Sequence, residues 1–271
     1  MSSIFLPVSF SNKLFGFFMR ILSCVQSVIS LFLGGERCVR CGRFALASPL
    51  CSECAEIFSR SAFNPDNRCE ICGKPLVSEI GICSSCRKTR TLKSADRIFP
   101  LQTYRLWKKN LLFSWKMQEK RSLSPFFASL VENKICQAES IVGENSLQIV
   151  PVPPRPGKIR KNGWDQIDEI CFYLKNGFGR KILPVLVRKS VIQQKKLGRI
   201  QRLESIGSSY EPAPGKKIRR ILKHLPDGKL PDSVVLLDDV MTTGATLEDC
   251  SSVLKKMGVA HVYCVTLFTV A

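Results

Sequence analysis

Residues Val234 to Leu247, reading VVLLDDVMTTGATL, constrain this chain more than any other stretch. The unbroken apolar run Val234–Leu237 has the length and branching of a strand buried on both faces, as in a parallel sheet. Two acids, Asp238 and Asp239, stand at its carboxyl end, followed by Val240, Met241 and the small hydroxyl-rich loop Thr242, Thr243, Gly244, Ala245 and Thr246. A helical pattern begins at once, with Leu247, Cys250, Leu254 and Met257 on one face. Hydroxyls and unpaired backbone N–H groups at a helix N-terminus favour a phosphate dianion, while carboxylates at a strand end suit sugar hydroxyls or a hydrated magnesium ion. The plain alternative is an acidic turn before a Thr-capped helix. So many adjacent positions agree that the phosphate reading is the stronger one.

Eight of the thirteen cysteines form four Cys-x-x-Cys pairs: Cys38/Cys41, Cys51/Cys54, Cys69/Cys72 and Cys83/Cys86. Two thiolates so spaced on a tight turn can face one ion, and the glycines Gly42 and Gly73 suit the left-handed backbone of such a turn. Eight thiolates suffice for up to two tetrahedral zinc sites, with iron and sulfur as a minor alternative. The simplest assignment is sequential, Cys38, Cys41, Cys51 and Cys54 on one ion and Cys69, Cys72, Cys83 and Cys86 on the other; an interleaved one stays open. With every position filled by protein, such zinc is structural. Cys24, Cys136, Cys171, Cys250 and Cys264 lie among apolar neighbours and are expected as small core residues in a reducing cytoplasm. His224 and His261 have no ligand spacing to the cysteines.

The formal charge is +19, which favours polyanionic partners such as nucleic acid, phosphorylated ligands or acidic membrane. The excess is concentrated: residues 155–229 carry 19 Lys and Arg against 6 acids. Within it, the strand candidate Leu147–Val152 runs into a proline-rich loop bearing Arg155, Lys158, Arg160 and Lys161, and ligands of open α/β sheets bind beyond such strand ends. Ile182–Val187 reads as a further strand, at an edge or interrupted by Pro184. A basic, Gln-rich stretch from Arg188 to Arg202 follows, with Gln193, Gln194, Lys195, Lys196 and Arg199. Residues 204–232 are expected as a mobile basic loop over the site, an interaction surface, or a merely solvated loop.

The remaining elements read as scaffold: a strand over Arg97–Tyr104, a helix over Leu106–Gln118, and a helix opened by Ser124 as N-cap with Pro125 in its first turn. Lys116 is expected to be solvated, with approach to a ligand as the less favoured reading. Gly258 caps the motif helix and Val259–Phe268 follows as a parallel strand, giving a βαβ unit in a sheet of four to five strands. Near the N-terminus, Leu14, Phe17, Phe18, Ile21, Val25, Val28, Ile29 and Phe32 share one helical face. This predicts an amphipathic helix docked on the protein itself, with a membrane-surface helix as alternative and a span disfavoured by Arg20 and Gln26.

The loop after Asp239 resembles the phosphoribosyl pyrophosphate (PRPP) signature of type I phosphoribosyltransferases, and nearly the whole chain resembles the ComF competence family. Paired Cys-x-x-Cys knuckles, Pro151-Val152-Pro153 with Arg160, Gly163 and Gln166, then Gln194, Leu197 and Arg202, and the terminal Asp-Asp-x-x-Thr-Thr-Gly-x-Thr carry that likeness. Where the family usually reads Arg-Gly-Phe-Asn-Gln, the chain has Asn162-Gly163-Trp164-Asp165-Gln166, losing an arginine expected at pyrophosphate, and a Thr before Gln194 is missing. The resemblance implies an α/β fold, a type I phosphoribosyltransferase-like parallel sheet flanked by helices and preceded by a small zinc-ribbon domain of four-cysteine sites. Its expected bounds are an amphipathic N-terminal helix over 1–36, a double zinc ribbon over 37–95 and the phosphoribosyltransferase-like domain over 96–271. It implies a bacterial cytoplasmic protein of DNA uptake, acting on single-stranded DNA with a helicase and DNA-processing partners of competence.

Two expectations about function follow. In the first, the pocket binds PRPP or a phosphorylated sugar or DNA end, while ribbon and basic loops grip strand phosphates; Trp107, Trp115, Trp164 and Tyr210 are the nearest rings for base stacking. In the second, the chain is a working Mg-dependent phosphoribosyltransferase of nucleotide metabolism. Thr242–Thr246 would hold the 5′-phosphate, Asp238 and Asp239 the ribose hydroxyls, and Arg160 with Lys158 the pyrophosphate, so catalysis is electrostatic. The missing arginine favours the first.

Overall fold

A computed structural model describes residues 36–45, 48–62, 68–90, 92–189 and 209–270. The predicted N-terminal helix and the stretch holding Gln193, Gln194, Lys195, Lys196, Leu197, Arg199 and Arg202 lie outside the described residues. The chain runs β1 (Glu36–Arg37), β2 (Phe44–Ala45), α1 (Ser52–Ala62), α2 (Ser84–Lys88), β3 (Arg97–Thr103), α3 (Trp107–Lys116), α4 (Ser124–Val142) and β4 (Gln148–Pro151). It continues through α5 (Lys158–Asn162), α6 (Gln166–Phe178), β5 (Leu186–Arg188), β6 (Tyr210–Pro212), α7 (Gly215–Leu222), β7 (Ser233–Met241), α8 (Ala245–Lys256) and β8 (His261–Thr269).

The architecture is α/β. A four-stranded parallel sheet of order β3-β8-β7-β4 is flanked by helices. Its central strand β7 alternates as the pleat demands: Val235 and Leu237 join a core with α3, α4 and α6, while Val234 and Leu236 join the opposite core with α8. Both cores exclude water from these four residues completely, which explains the unbroken apolar run. No helix of the described residues is long and apolar enough to cross a membrane.

The two cysteine regions pack on opposite faces of this sheet. Phe58 of α1 is 1% exposed and meets the rings of Trp107, Phe126, Phe127 and Phe268 at centroid distances of 5.7–6.2 Å. Burying such a ring contributes roughly 2–3 kcal/mol. On the other face Ile71, Leu76 and Leu92 join the α8 core, and the Ile98 amide of β3 donates to the Glu70 carbonyl at 2.9 Å.

Several sequence expectations are corrected here. Ser124 does not cap α4; a 3₁₀ turn, Arg121–Leu123, runs straight into the helix. The Ser124 hydroxyl instead accepts from Trp115 Nε1 at 2.8 Å and donates to Glu169 at 2.6 Å, joining α3, α4 and α6. The strand over Ile182–Val187 is interrupted at Pro184, as its sequence suggested, and the new feature is its pairing: Ile182 bridges β4 in parallel, and β5 turns away to pair antiparallel with β6. Residues 210–222, expected within a loop, form β6 and α7. Cys136 is exposed on α4 beside Glu132 and Arg180, whereas Cys171, Cys250 and Cys264 are core residues as expected.

Candidate functional site

Strand β7 does not stop at the acids, as the sequence suggested, but continues to Met241. Its neighbour β4 ends at Pro151 opposite Leu237, so beyond that point β7 is paired only by β8, with Asp238 opposite Thr266 and Met241 opposite Thr269. The side toward the proline loop is open, and there the two carboxylates stand. Alternation sends them to opposite faces, Asp238 toward the α8 side and Asp239 toward α3.

Asp239 forms an ion pair with Lys116, the last residue of α3. Lys116, expected to be solvated, is thus paired with an acid of the candidate site; its place at a helix end was the only signal in the sequence. Its neighbour Trp115 is fully buried and fixed by Ser124, which holds the helix end in place. Burial and the charge of Asp239 push the Asp238 carboxyl up to about 8, against opposing pulls from the Asp239 amide, which donates to Asp238 at 2.8 Å, and from Lys116.

The chain then turns through Thr242 and Thr243 into α8. Gly244 precedes the helix at φ 82°, a left-handed conformation open to glycine without penalty. Thr243 Oγ1 accepts from the Ala245 amide at 3.4 Å, and Thr242, Thr243 and Ala245 are exposed. The N–H groups of this first turn have no partner within the helix. Tyr210 of β6, which is buried, hydrogen-bonds Thr246, and burial raises its phenol above the usual range. Glu248 in the first turn of α8 accepts from the amides of Lys93 and Ser94 at 2.7 and 2.9 Å, anchoring the loop to the chain leaving the second cysteine region.

The proline loop, β5 and α7 border a cleft of about 580 Å³, to which Arg155, Arg160, Arg188 and Lys217 contribute cations and Pro151, Pro153 and Leu186 apolar surface. Neither the acids nor the Thr loop lines it. This cleft and the Thr-rich turn at the start of α8 therefore do not coincide. Phosphate binding does not require a cleft, because exposed N–H groups at a helix start bind it without one. Arg160 is exposed on the cleft wall. Lys158 instead pairs with Asp165 at 2.6 Å and touches Gln166 Oε1, drawn toward the start of α6. Asp165 caps that helix, accepting from the Ile167 and Asp168 amides at 2.9 and 3.2 Å. The ring candidates Trp115, Trp164 and Tyr210 are all buried, and Trp107 is half-buried with the Arg40 guanidinium 5.4 Å from its ring, so they offer no open stacking platform.

The cysteines resolve into two groups, Cys38, Cys41, Cys51 and Cys54, and Cys69, Cys72, Cys83 and Cys86, with the ligand atoms of each within 4.8 Å of one another. This is the sequential grouping, and each group could hold a zinc ion. The knuckle turns are as predicted: the Gly42 amide donates to the Cys38 carbonyl and the Gly73 amide to the Cys69 carbonyl, both at 2.8 Å. The Cys83 amide donates to Cys69 Sγ at 3.3 Å and the Cys86 amide to Cys83 Sγ at 3.4 Å, which ties the two knuckles of the second group together. A Cβ on Gly73 would lie 2.6 Å from Pro100 Cγ, so this knuckle presses directly on β3.

No protein-family profile and no curated protein matches the chain.

Proposed function

We propose that this is a phosphoribosyl-binding protein of ComF type that handles single-stranded DNA in DNA uptake. The observation that carries the reading is the unit at the open end of β7: two carboxylates, an exposed Thr-rich turn and the start of α8, contiguous in the chain. In this reading Thr242, Thr243, Gly244, Ala245 and Thr246 hold a 5′-phosphate, and Asp238 and Asp239 meet the ribose hydroxyls and the magnesium that accompanies PRPP. In the absence of ligand, Lys116 supplies a positive charge at Asp239, and ligand binding exchanges that ammonium for the incoming cation. Structural zinc holds the two cysteine regions against the sheet, and the basic surface meets strand phosphates.

A second reading, a Mg-dependent phosphoribosyltransferase, is favoured by Arg160 and Arg155 standing on the cleft wall beside the acids' open edge. There they would stabilise a pyrophosphate leaving group electrostatically. Titration of zinc-loaded protein with single-stranded DNA over a range of salt, with and without PRPP and magnesium, tests the proposal. DNA binding that weakens steeply with salt and competes with PRPP supports it; absent or salt-insensitive binding removes the DNA half. Turnover of PRPP with an acceptor base would favour the second reading.

A further inference from the structure

Helix α7 is the most one-sided element among the described residues. Residues 213–225 contain Lys216, Lys217, Arg219, Arg220 and Lys223 and no acid. Lys216 and Arg220, and Arg219 and Lys223, are four apart and therefore neighbours on the helix, where like charges repel and weaken it. All five cations are exposed, and no carboxylate among the described residues lies within ion-pair distance of any of them. The opposite side holds the helix in place. Ile221, with Leu225 and Leu230 beyond the helix end, packs against the core under α8, and Ile218 and Leu222 are half-buried. The charges are thus presented on a fixed support, at a cost in repulsion that a solvated surface would have no reason to keep.

The same face runs into the cleft. Lys217 stands on its wall with Arg188 of β5 and with Arg155 and Arg160 of the proline loop, so cations from three separate elements continue the row begun on α7. Among the described residues, Asp168 is the only acid on that wall. We propose that the exposed face of α7 and the cations of the adjoining cleft form the track on which the phosphodiester backbone of single-stranded nucleic acid lies. This assignment rests on the nucleic-acid half of the function proposed above and locates it. An anionic bilayer fits less well: the apolar side of α7 is turned into the protein, leaving none to enter lipid, and a flat surface cannot follow the cations into a cleft. The contacts are to phosphate, so the track reads charge and not base sequence, in keeping with the buried tryptophans.

The test is the binding of a labelled oligothymidylate to full-length, zinc-loaded protein, measured by anisotropy over a salt series. Neutralising four positions together (Lys216→Gln, Arg219→Gln, Arg220→Gln, Lys223→Gln) is expected to weaken binding by at least about tenfold and to make the slope of log K against log salt shallower by about 3, at roughly 0.7 per lost contact. The milder pair Lys216→Gln with Lys223→Gln should remove about half of that slope change. Exchanging Lys and Arg at the same four positions should leave affinity and slope near wild type, because charge and not shape is at stake. If wild type fails to bind the oligonucleotide, the nucleic-acid reading itself falls. If wild type binds but both neutralised variants keep its affinity and slope, this assignment alone is overturned. It is equally overturned if neutralisation abolishes binding to phosphatidylserine vesicles while oligonucleotide binding is unchanged.

Discussion

Lys116 at the end of α3 and Asp239 on β7 form an ion pair across the open edge of the sheet, between two segments more than a hundred residues apart in the chain. The pair lies where β4 has ended and β8 alone still pairs β7, so the ammonium reaches a carboxylate that both strand neighbours would otherwise hem in. Lys116 also pulls the Asp238 carboxyl downward against burial. Replacing it by Gln removes that pull. The Asp238 titration midpoint, followed by carboxyl carbon NMR, is expected to rise in Lys116→Gln; an unchanged midpoint would separate Lys116 from the site.

Asp238 also makes stability depend on pH. An unfolded Asp loses its proton near pH 3.9, about where any free carboxyl does, whereas burial and Asp239 push the folded carboxyl up to about 8. Between those values the folded chain holds one proton more than the unfolded chain, so stability falls as pH rises. Asp238→Asn removes the effect. Its melting temperature at pH 8 is expected to exceed that of wild type by a few degrees, on the order of 2–4 °C per kcal/mol regained, with little difference at pH 4. Thermal melts across that range, without magnesium, measure it.

The ion pair of Lys158 with Asp165 removes a cation from the proline loop. The resemblance places an Asn where Asp165 stands, and Asn caps a helix about as well as Asp. Asp165→Asn is therefore expected to keep α6 folded and release Lys158, strengthening binding of inorganic pyrophosphate by several-fold, about what 1 kcal/mol of added attraction gives. Isothermal calorimetry with pyrophosphate, paired with a far-UV spectrum, checks both halves.

Each cysteine group is expected to hold one zinc, two per chain by elemental analysis, with Cys41→Ser lowering the count to one. Because Gly73 presses on Pro100 and has φ +68°, Gly73→Ala is expected to destabilise by about 1–3 kcal/mol even with zinc present. Denaturant unfolding of the zinc-loaded variant gives the value. A loss near zero would mean that the second knuckle yields without disturbing β3.

The parallel strands and the cysteine grouping were legible because period and spacing are local signals: Val234–Leu237 has no polar interruption, and each Cys pair comes with its neighbour nearest in sequence. What escaped is set by partners distant in the chain. Ser124 has the right residue type for an N-cap, yet Trp115 and Glu169 claim its hydroxyl. Lys116 reads as solvated until α3 is laid beside β7. Tyr210 reads as an exposed ring in a loop, but β6 pairs with β5 and carries it against Thr246. The amphipathic pattern of α7 was hidden by the prolines around it, which suggested a loop.

The most direct measurement of the central claim is a calorimetric titration of the zinc-loaded protein with PRPP and magnesium, beside the double variant Asp238→Asn with Asp239→Asn. A saturable one-site isotherm for wild type, lost in the double variant, is the predicted result. No binding by wild type, or equal binding by both, would contradict the assignment of a phosphoribosyl site to the open end of β7.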